Sequence, residues 1–264
     1  MRITPKEVLF FETWFEDYTG NFKQLNPSLP NGYALKSNHT QNVCIEMNAL
    51  GKSLMLDSYQ LRIAHIIALF HDIGRFEQFR KYNSFADKKT ENHALLGVKV
   101  LKKYKVLDNL QPEAKSIIIK AIQLHNVKNP PKIKDKTLAL FVNLIRDADK
   151  LDIFSLASHH YQNSKESNSA IELELPNTDD FSEDICQQLI NGINVDFVLM
   201  KSLNDFKLIQ LGWVFDISFN YSLLKILNCG YIDGIASTLP NKPSIHKVIH
   251  HVHHYIAERL NLQN

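Results

Sequence analysis

Along this chain apolar residues recur at three-and-four spacing, and extended alternation of apolar and polar positions is nearly absent, which predicts an all-α fold. Asp57 or Ser58 is the expected cap of a helix through Leu61, Ala64, Ala68 and Leu69. Gly74 is the expected stop, as the residue best able to adopt a left-handed cap, which would put His71 and Asp72 in the last turn. Asn92 is a good N-cap for a helix carrying Leu96, Val100 and Leu101, and it places His93 at a helix start. Another helix should begin near Pro112, where a first-turn proline costs little; there Ile118, Ile122 and His125 share one face, so His125 points inward.

The helix through Leu138, Val142 and Ile145 carries the most information. Four residues further along its apolar stripe lies Asp149, whereas Asp147 falls about 160° away around the axis. A carboxylate on an apolar stripe is costly unless it is ion-paired or bound to a metal, and either would serve here. The pattern changes after Leu156. Gln162 to Asp184 is polar and contains Pro176, as expected of a long surface loop or insertion, with a short strand-like piece at Ile171 to Leu175. Helical periodicity resumes near Ile185 and is interrupted by a turn-rich stretch from Gly230 to Pro243.

Composition sets limits on this picture. With 264 residues, 44% hydrophobic and 22% charged, the chain can bury a full core in one large domain or in a core with an extension. A formal charge of +2 and a pI near 8.3 give no strong nucleic-acid signal, and Lys102, Lys103 and Lys105 read as a solvated helix face. The 3 cysteines are too scattered for a disulfide framework or a thiolate metal site, and a reducing cytoplasm suits them. No stretch approaches the roughly 18 apolar residues of a membrane helix, and the opening segment has no cleavage-site pattern. The expectation is a cytoplasmic protein that neither spans a membrane nor is exported.

The 12 histidines are the compositional oddity, since histidine is the commonest transition-metal ligand at neutral pH. Inward or helix-terminal positions offer His39, His71, Asp72, His93, His125 and Asp149, enough for one or two divalent ions. Imidazole and carboxylate without thiolate suit Mn, Fe, Co, Ni or Zn, and structural zinc sites prefer cysteine, so a catalytic site with open positions is the better reading. His246, His250, His251, His253 and His254 have metal-capturing spacing too, but no carboxylate accompanies them before Glu258, and they read as a polar helix face. There is no Gly-rich phosphate loop, no Gly-x-Ser-x-Gly elbow and no cysteine beside a His-bearing helix, which excludes P-loop and serine-hydrolase chemistry.

His39, the doublet His71-Asp72 followed by Ile73-Gly74-Arg75, and Ala148-Asp149-Lys150-Leu151 together resemble the HD superfamily of metal-dependent phosphohydrolases and phosphodiesterases, over roughly Asn38 to Asp152. His93 in Asn92-His93-Ala94-Leu95-Leu96-Gly97 and His125 in Ile122-Gln123-Leu124-His125-Asn126 match the places where binuclear members hold a second ion. The resemblance implies an HD-domain helical bundle over residues 1–156, and a loop and C-terminal helices over 157–264 packing on it as one unit. It also implies a first metal on His39, His71, Asp72 and Asp149 and a second on Asp72, His93 and His125, with Asp72 bridging. Two such ions would lower the pKa of a water and clamp a phosphoryl group as it is attacked, making hydroxide the nucleophile.

Arg75 and Lys150 adjoin the ligand motifs and are the candidates for stabilising phosphate charge, while Asp147 and Asp152 are candidates for orienting ligands or binding substrate hydroxyls. Each could equally be a surface side chain. Phe76, Phe79, Tyr82 and Phe85 could line a pocket for a flat group or pack in the core. Trp213, Asp216 and Phe219, at i, i+3 and i+6, could approach the site mouth or pack likewise. The implied partner is a small phosphorylated substrate such as a nucleotide. The Gly-Tyr-Pro element of the cyclic-dinucleotide branch and the synthetase half of alarmone enzymes are both missing. Within the superfamily a di-iron oxygenase is the rival chemistry, and a noncatalytic metal-binding sensor is the rival of another class.

Overall fold

A computed structural model describes residues 3–25, 30–163 and 168–262. The described residues are helices and connecting turns, with no β-strand among them, so the fold is all-α as the periodicity predicts. The chain falls into two compact units, residues 1–149 and 150–264. No helix among the described residues is long and apolar enough to cross a membrane.

The first unit holds α1 (Pro5–Leu25), α2 (Pro30–Ser53), α3 (Ser58–Phe70), α4 (Gly74–Tyr82), α5 (His93–Lys103), α6 (Pro112–Leu124) and the first half of α7 (Lys136–Asn163). α2 packs along α3, α4 against α5, and both α3 and α5 against α6. Asp57 caps α3 through a capping box: its carboxylate accepts from the Tyr59 and Gln60 amides at 2.8 Å, and the Gln60 side chain accepts from the Asp57 amide at 3.0 Å. Such a cap is worth about 1 kcal/mol. It fixes where α3 starts, and therefore where it delivers the residues at its other end. Asn92 caps α5 by accepting from the Leu95 amide at 3.0 Å, and Pro112 opens α6, both as the sequence predicts.

Gly74 behaves differently from expectation. α3 ends at Phe70, so His71 and Asp72 lie in the turn beyond it, and Gly74 begins α4 with no left-handed φ. Its requirement is space: a Cβ there would stand 2.1 Å from the His93 carbonyl oxygen and 2.5 Å from the Gly97 amide nitrogen. Two glycines thus let the starts of α4 and α5 touch backbone to backbone.

α7 is buried nearly all round before Asp149, with Phe141, Val142, Leu144, Ile145 and Ala148 at 0% exposure. The expected stripe of Leu138, Val142 and Ile145 is real, but the side opposite is buried as well.

The second unit holds the rest of α7, α8 (Ser169–Glu172), α9 (Glu183–Ile190), α10 (Leu203–Gly212), α11 (Asn220–Asn228), α12 (Tyr231–Ala236) and α13 (Pro243–Arg259). Its core joins Phe154, Ile185, Leu189, Leu208, Leu211, Ile226, Ile235, Val248, Val252 and Ile256. The strand-like reading of Ile171 to Leu175 is corrected: Ile171 and Glu172 close a helical turn, and Leu173 and Glu174 take left-handed φ of 55° and 59°, which no strand allows. From Thr178 onward the segment is tethered rather than loose. Asn204 donates to the Thr178 and Asp180 carbonyls, and the buried Asp205 carboxylate accepts from the Ser182 amide and hydroxyl.

Candidate metal centre

Six side chains of the first unit converge. His39 comes from the middle of α2, His71 and Asp72 from the turn after α3, His93 from the first residue of α5, His125 from the residue after α6, and Asp149 from α7. Turn positions suit this role, because side chains there leave the helix packing and reach inward. His39, His71, Asp72, His93 and His125 are all at most 5% exposed. Among the described residues three overlapping groups could hold a metal ion: His39, His71 and Asp72; His71, His125 and Asp149; and Asp72, His93 and His125.

Asp72 divides its oxygens between two sides. Oδ2 lies 3.5 Å from His39 Nε2 and 3.8 Å from His71 Nε2, while Oδ1 lies 3.1 Å from His93 Nε2 and 3.8 Å from His125 Nε2. Asp149 Oδ1 completes the first side, 3.1 Å from His39 Nε2 and 3.9 Å from His71 Nε2.

Backbone carbonyls set the tautomers. His71 Nδ1 donates to the Ala68 carbonyl and His125 Nδ1 to the Ile122 carbonyl, each at 2.7 Å, which leaves both Nε2 atoms with an inward lone pair. Burial keeps both rings neutral. It pushes His71 down, against the opposing charges of Asp72 and Asp149, and it pushes His125 down to about 3, with His93 and His71 adding to the effect. Neutral imidazole is the ligating form. The His93 and His125 Nε2 atoms are 3.1 Å apart, and those of His39 and His71 are 3.3 Å apart. Close ring nitrogens beside a carboxylate fit a cation, and an all-imidazole and carboxylate donor set fits Mn, Fe, Co, Ni or Zn.

Both aspartates are held ionised. Burial of Asp72 opposes ionisation, but Lys36, His71 and His93 outweigh it and keep the group well below the usual carboxylate range. Asp149 is likewise lowered against its burial, by the His39 hydrogen bond and the neighbouring imidazoles.

Outside this ring lies a layer that spacing did not reveal. Asp87 accepts from His93 Nδ1 at 2.7 Å, turning His93 Nε2 toward Asp72, and it also accepts from Arg75 at 2.8 Å and Gln78 at 2.9 Å. Its burial opposes ionisation, but the His93 hydrogen bond and charge, then Arg75 and Gln78, bring it to about 2. Buried Gln78 donates further to Thr90 Oγ1 and the Glu91 carbonyl, fastening the segment that leads into α5. Arg146, on α7, donates to the carbonyls of His125, Val127 and Lys128 and so secures the end of α6. Lys36 Nζ sits 2.8 Å from Asp72 Oδ2. Lys36 was the most discoverable of these, since three residues before His39 on one helix is the same face; Asp87 and Gln78 carry no local signal.

The other sequence candidates are distributed as follows. Arg75 Nη1 is engaged by Asp87, Gln78 and the Phe85 carbonyl, and its Nε is 3.5 Å from Asp72 Oδ1. Lys150 pairs with Asp216 at 2.8 Å within the second unit. Asp147 and Asp152 are buried, 0% and 6% exposed, which corrects a helix-surface position for either. Neither belongs to a group that could hold a metal. Phe76 is core, stacked on Tyr33; Phe79 stacks on Phe85; Tyr82 is 45% exposed. Trp213 packs against Phe154, Phe197 and Phe206. In α13, His253 pairs with Asp233 and His254 with Glu258, and none of its histidines joins a metal-binding group among the described residues.

An all-α unit carrying a shared His and Asp metal cluster defines the class of the protein. Residues 38–153 match the family model of the HD domain, a family that includes mostly metal-dependent hydrolases. No curated protein and no solved structure matches the chain.

Proposed function

We propose that the protein is a metal-dependent phosphohydrolase or phosphodiesterase acting on a nucleotide or another small organic phosphate. The observation that carries this reading is the division of Asp72, one oxygen toward His39 and His71 and the other toward His93 and His125. His39, His71, Asp72 and Asp149 would hold one divalent ion, and Asp72, His93 and His125 a second. Such ions, when bound, lower the pKa of water and polarise phosphoryl oxygens.

The chain's own residues prepare that chemistry. The Ala68 and Ile122 carbonyls and the Asp87 carboxylate fix three imidazoles in the ligating tautomer before anything binds. Arg75 orients Asp72 and Asp87 together rather than standing free. Among the described residues the groups that could hold a metal consist of histidine and aspartate alone, which supports water rather than a side chain as the nucleophile.

The test is metal analysis of the purified protein followed by a panel of phosphomonoesters and phosphodiesters with Mn, Co, Ni, Zn or Fe supplied. Turnover is expected that chelation removes and Asp72→Ala abolishes. A metal-loaded, folded protein that hydrolyses nothing in the panel would overturn the reading, and substrate-dependent oxygen uptake with iron would replace it by oxygenase chemistry.

A further inference from the structure

We infer that Lys36 is the phosphate-binding cation of this site, the residue that holds the substrate's phosphoryl group or the phosphate product. The inference rests on the reading of the centre as a phosphoester hydrolase.

A phosphoryl group brought to this cluster meets the carboxylates of Asp72 and Asp149 among the histidines. Positive charge fixed by the protein beside the acidic groups adds to what bound ions would supply to the phosphoryl oxygens. Arg75, which adjoins the ligand doublet in sequence, is committed: Nη1 alone serves Asp87, Gln78 and the Phe85 carbonyl, and pulling it away would unfasten the support of His93. Arg146 is 5% exposed and occupied with backbone carbonyls. Lys150 is ion-paired to Asp216 in the second unit.

Lys36 differs from all three. Its ammonium is 2.8 Å from Asp72 Oδ2, the oxygen that also faces His39 and His71, so it stands beside the ligand atoms themselves. The side chain is 18% exposed, more open than Asp72 and the four histidines of the cluster. Its Nζ also faces the Phe85 ring at 5.6 Å, which tolerates the charge without competing for its hydrogens as a second carboxylate would. Phe85 is backed by the parallel ring of Phe79 at 4.6 Å and is held in place. An ammonium has three donors; Asp72 uses one, and a phosphoryl oxygen can take another without breaking the pair. Lys36 reaches the centre because it lies one helical turn before His39 on α2, so whatever positions the ligand also positions the cation.

Inorganic phosphate, titrated calorimetrically into the manganese-loaded full-length protein, tests this for wild type, Lys36→Gln and Lys36→Arg, with metal content measured on the same samples. Lys36→Gln should bind phosphate at least tenfold more weakly and show a KM for the best panel substrate raised by a similar factor, with metal content unchanged; Lys36→Arg should keep most of both. Phosphate affinity in Lys36→Gln equal to that of wild type would overturn the inference while leaving hydrolysis standing. Loss of metal from Lys36→Gln in step with loss of phosphate would also overturn it, by making Lys36 a support of Asp72. A wild-type protein that holds its metals yet hydrolyses no phosphoester and binds no phosphate would instead sink the functional reading beneath.

Discussion

Replacing Gly74 by alanine adds one methyl group at the tightest backbone contact near the metal centre. The new Cβ would lie 2.1 Å from the His93 carbonyl oxygen and 2.5 Å from the Gly97 amide nitrogen. Neither atom belongs to a side chain that can swing away, and ordinary contact begins near 3.4 Å, so the carbonyl must recede by more than 1 Å. That carbonyl belongs to the first residue of α5, which is itself a proposed ligand, with Nε2 3.1 Å from both Asp72 Oδ1 and His125 Nε2. Overpacking of this kind costs about 1–3 kcal/mol, and displacement on the ångström scale is enough to spoil a coordination position. Gly97→Ala is the internal control. Its Cβ would meet Gly74 N and Ile73 Cγ2 at 3.2 Å, contacts that a few tenths of an ångström relieve. Urea denaturation and metal analysis should therefore rank Gly74→Ala well below Gly97→Ala in stability, with Gly74→Ala losing the metal held by His93 and His125 first. A Gly74→Ala protein with wild-type stability and metal content, or one milder than Gly97→Ala, would refute the assignment of Gly74 to helix contact.

Asp72→Ala should empty both metal positions, whereas His93→Ala should leave the ion held by His39, His71 and Asp149; equal metal content in the two variants, measured by mass spectrometry, would contradict the bridging role. Asp87→Ala removes the acceptor of His93 Nδ1 and should weaken binding of the second metal by roughly 10–100-fold with little change at the first. A calorimetric titration showing both sites shifted alike would assign Asp87 to the fold instead. Burial, followed by the charges of Glu77 and Tyr104, raises the Tyr18 phenol well above its ordinary value. A group whose pKa is higher in the folded state contributes stability that is fully present below its unfolded value, near 10 for tyrosine, and is lost as the pH rises above that value. Tyr18→Phe should accordingly lose less stability than wild type between pH 8 and pH 11.5, and parallel losses in urea denaturation would reject that burial.

Much of the centre was legible because it sits where helical rules are strongest. Asn92 as a cap fixed His93 at a helix start, and the phase of Leu138, Val142 and Ile145 singled out Asp149, which meets His39, over Asp147, which does not join the cluster. The phase argument was right about direction and wrong about exposure. It treats the side opposite the apolar stripe as wet, whereas Asp147 on that side is 0% exposed and the Asp149 side chain keeps 21% of its surface open. Gly74 shows the complementary failure. A glycine after an apolar helix signals a left-handed cap, but the need for a missing Cβ came from α5, more than fifteen residues away, and no local pattern encodes it.

The part that stayed hidden has one physical cause. Ligands must present particular atom types, so histidine and aspartate stand out even in a bare sequence. The groups that aim the ligands need only a hydrogen-bond acceptor or donor at the right place, and any backbone carbonyl or common polar residue can supply it. Ala68 and Ile122 set two tautomers through carbonyls, an office that leaves no trace in residue identity. Asp87 and Gln78 act through a segment whose path depends on how α4 and α5 pack. Lys36 is the intermediate case. It shares a face with His39 and was open to the same phase reasoning that found Asp149, but a lysine on a helix is so commonly solvated that only its 2.8 Å approach to Asp72 distinguishes it. Closeness of approach to the centre, rather than adjacency to a motif, is therefore what separates Lys36 from Arg75 and Lys150: both of those stand next to ligand motifs in the chain, but Lys150 pairs with Asp216, and Arg75 divides its charge between Asp87 at 2.8 Å and Asp72 at 3.5 Å.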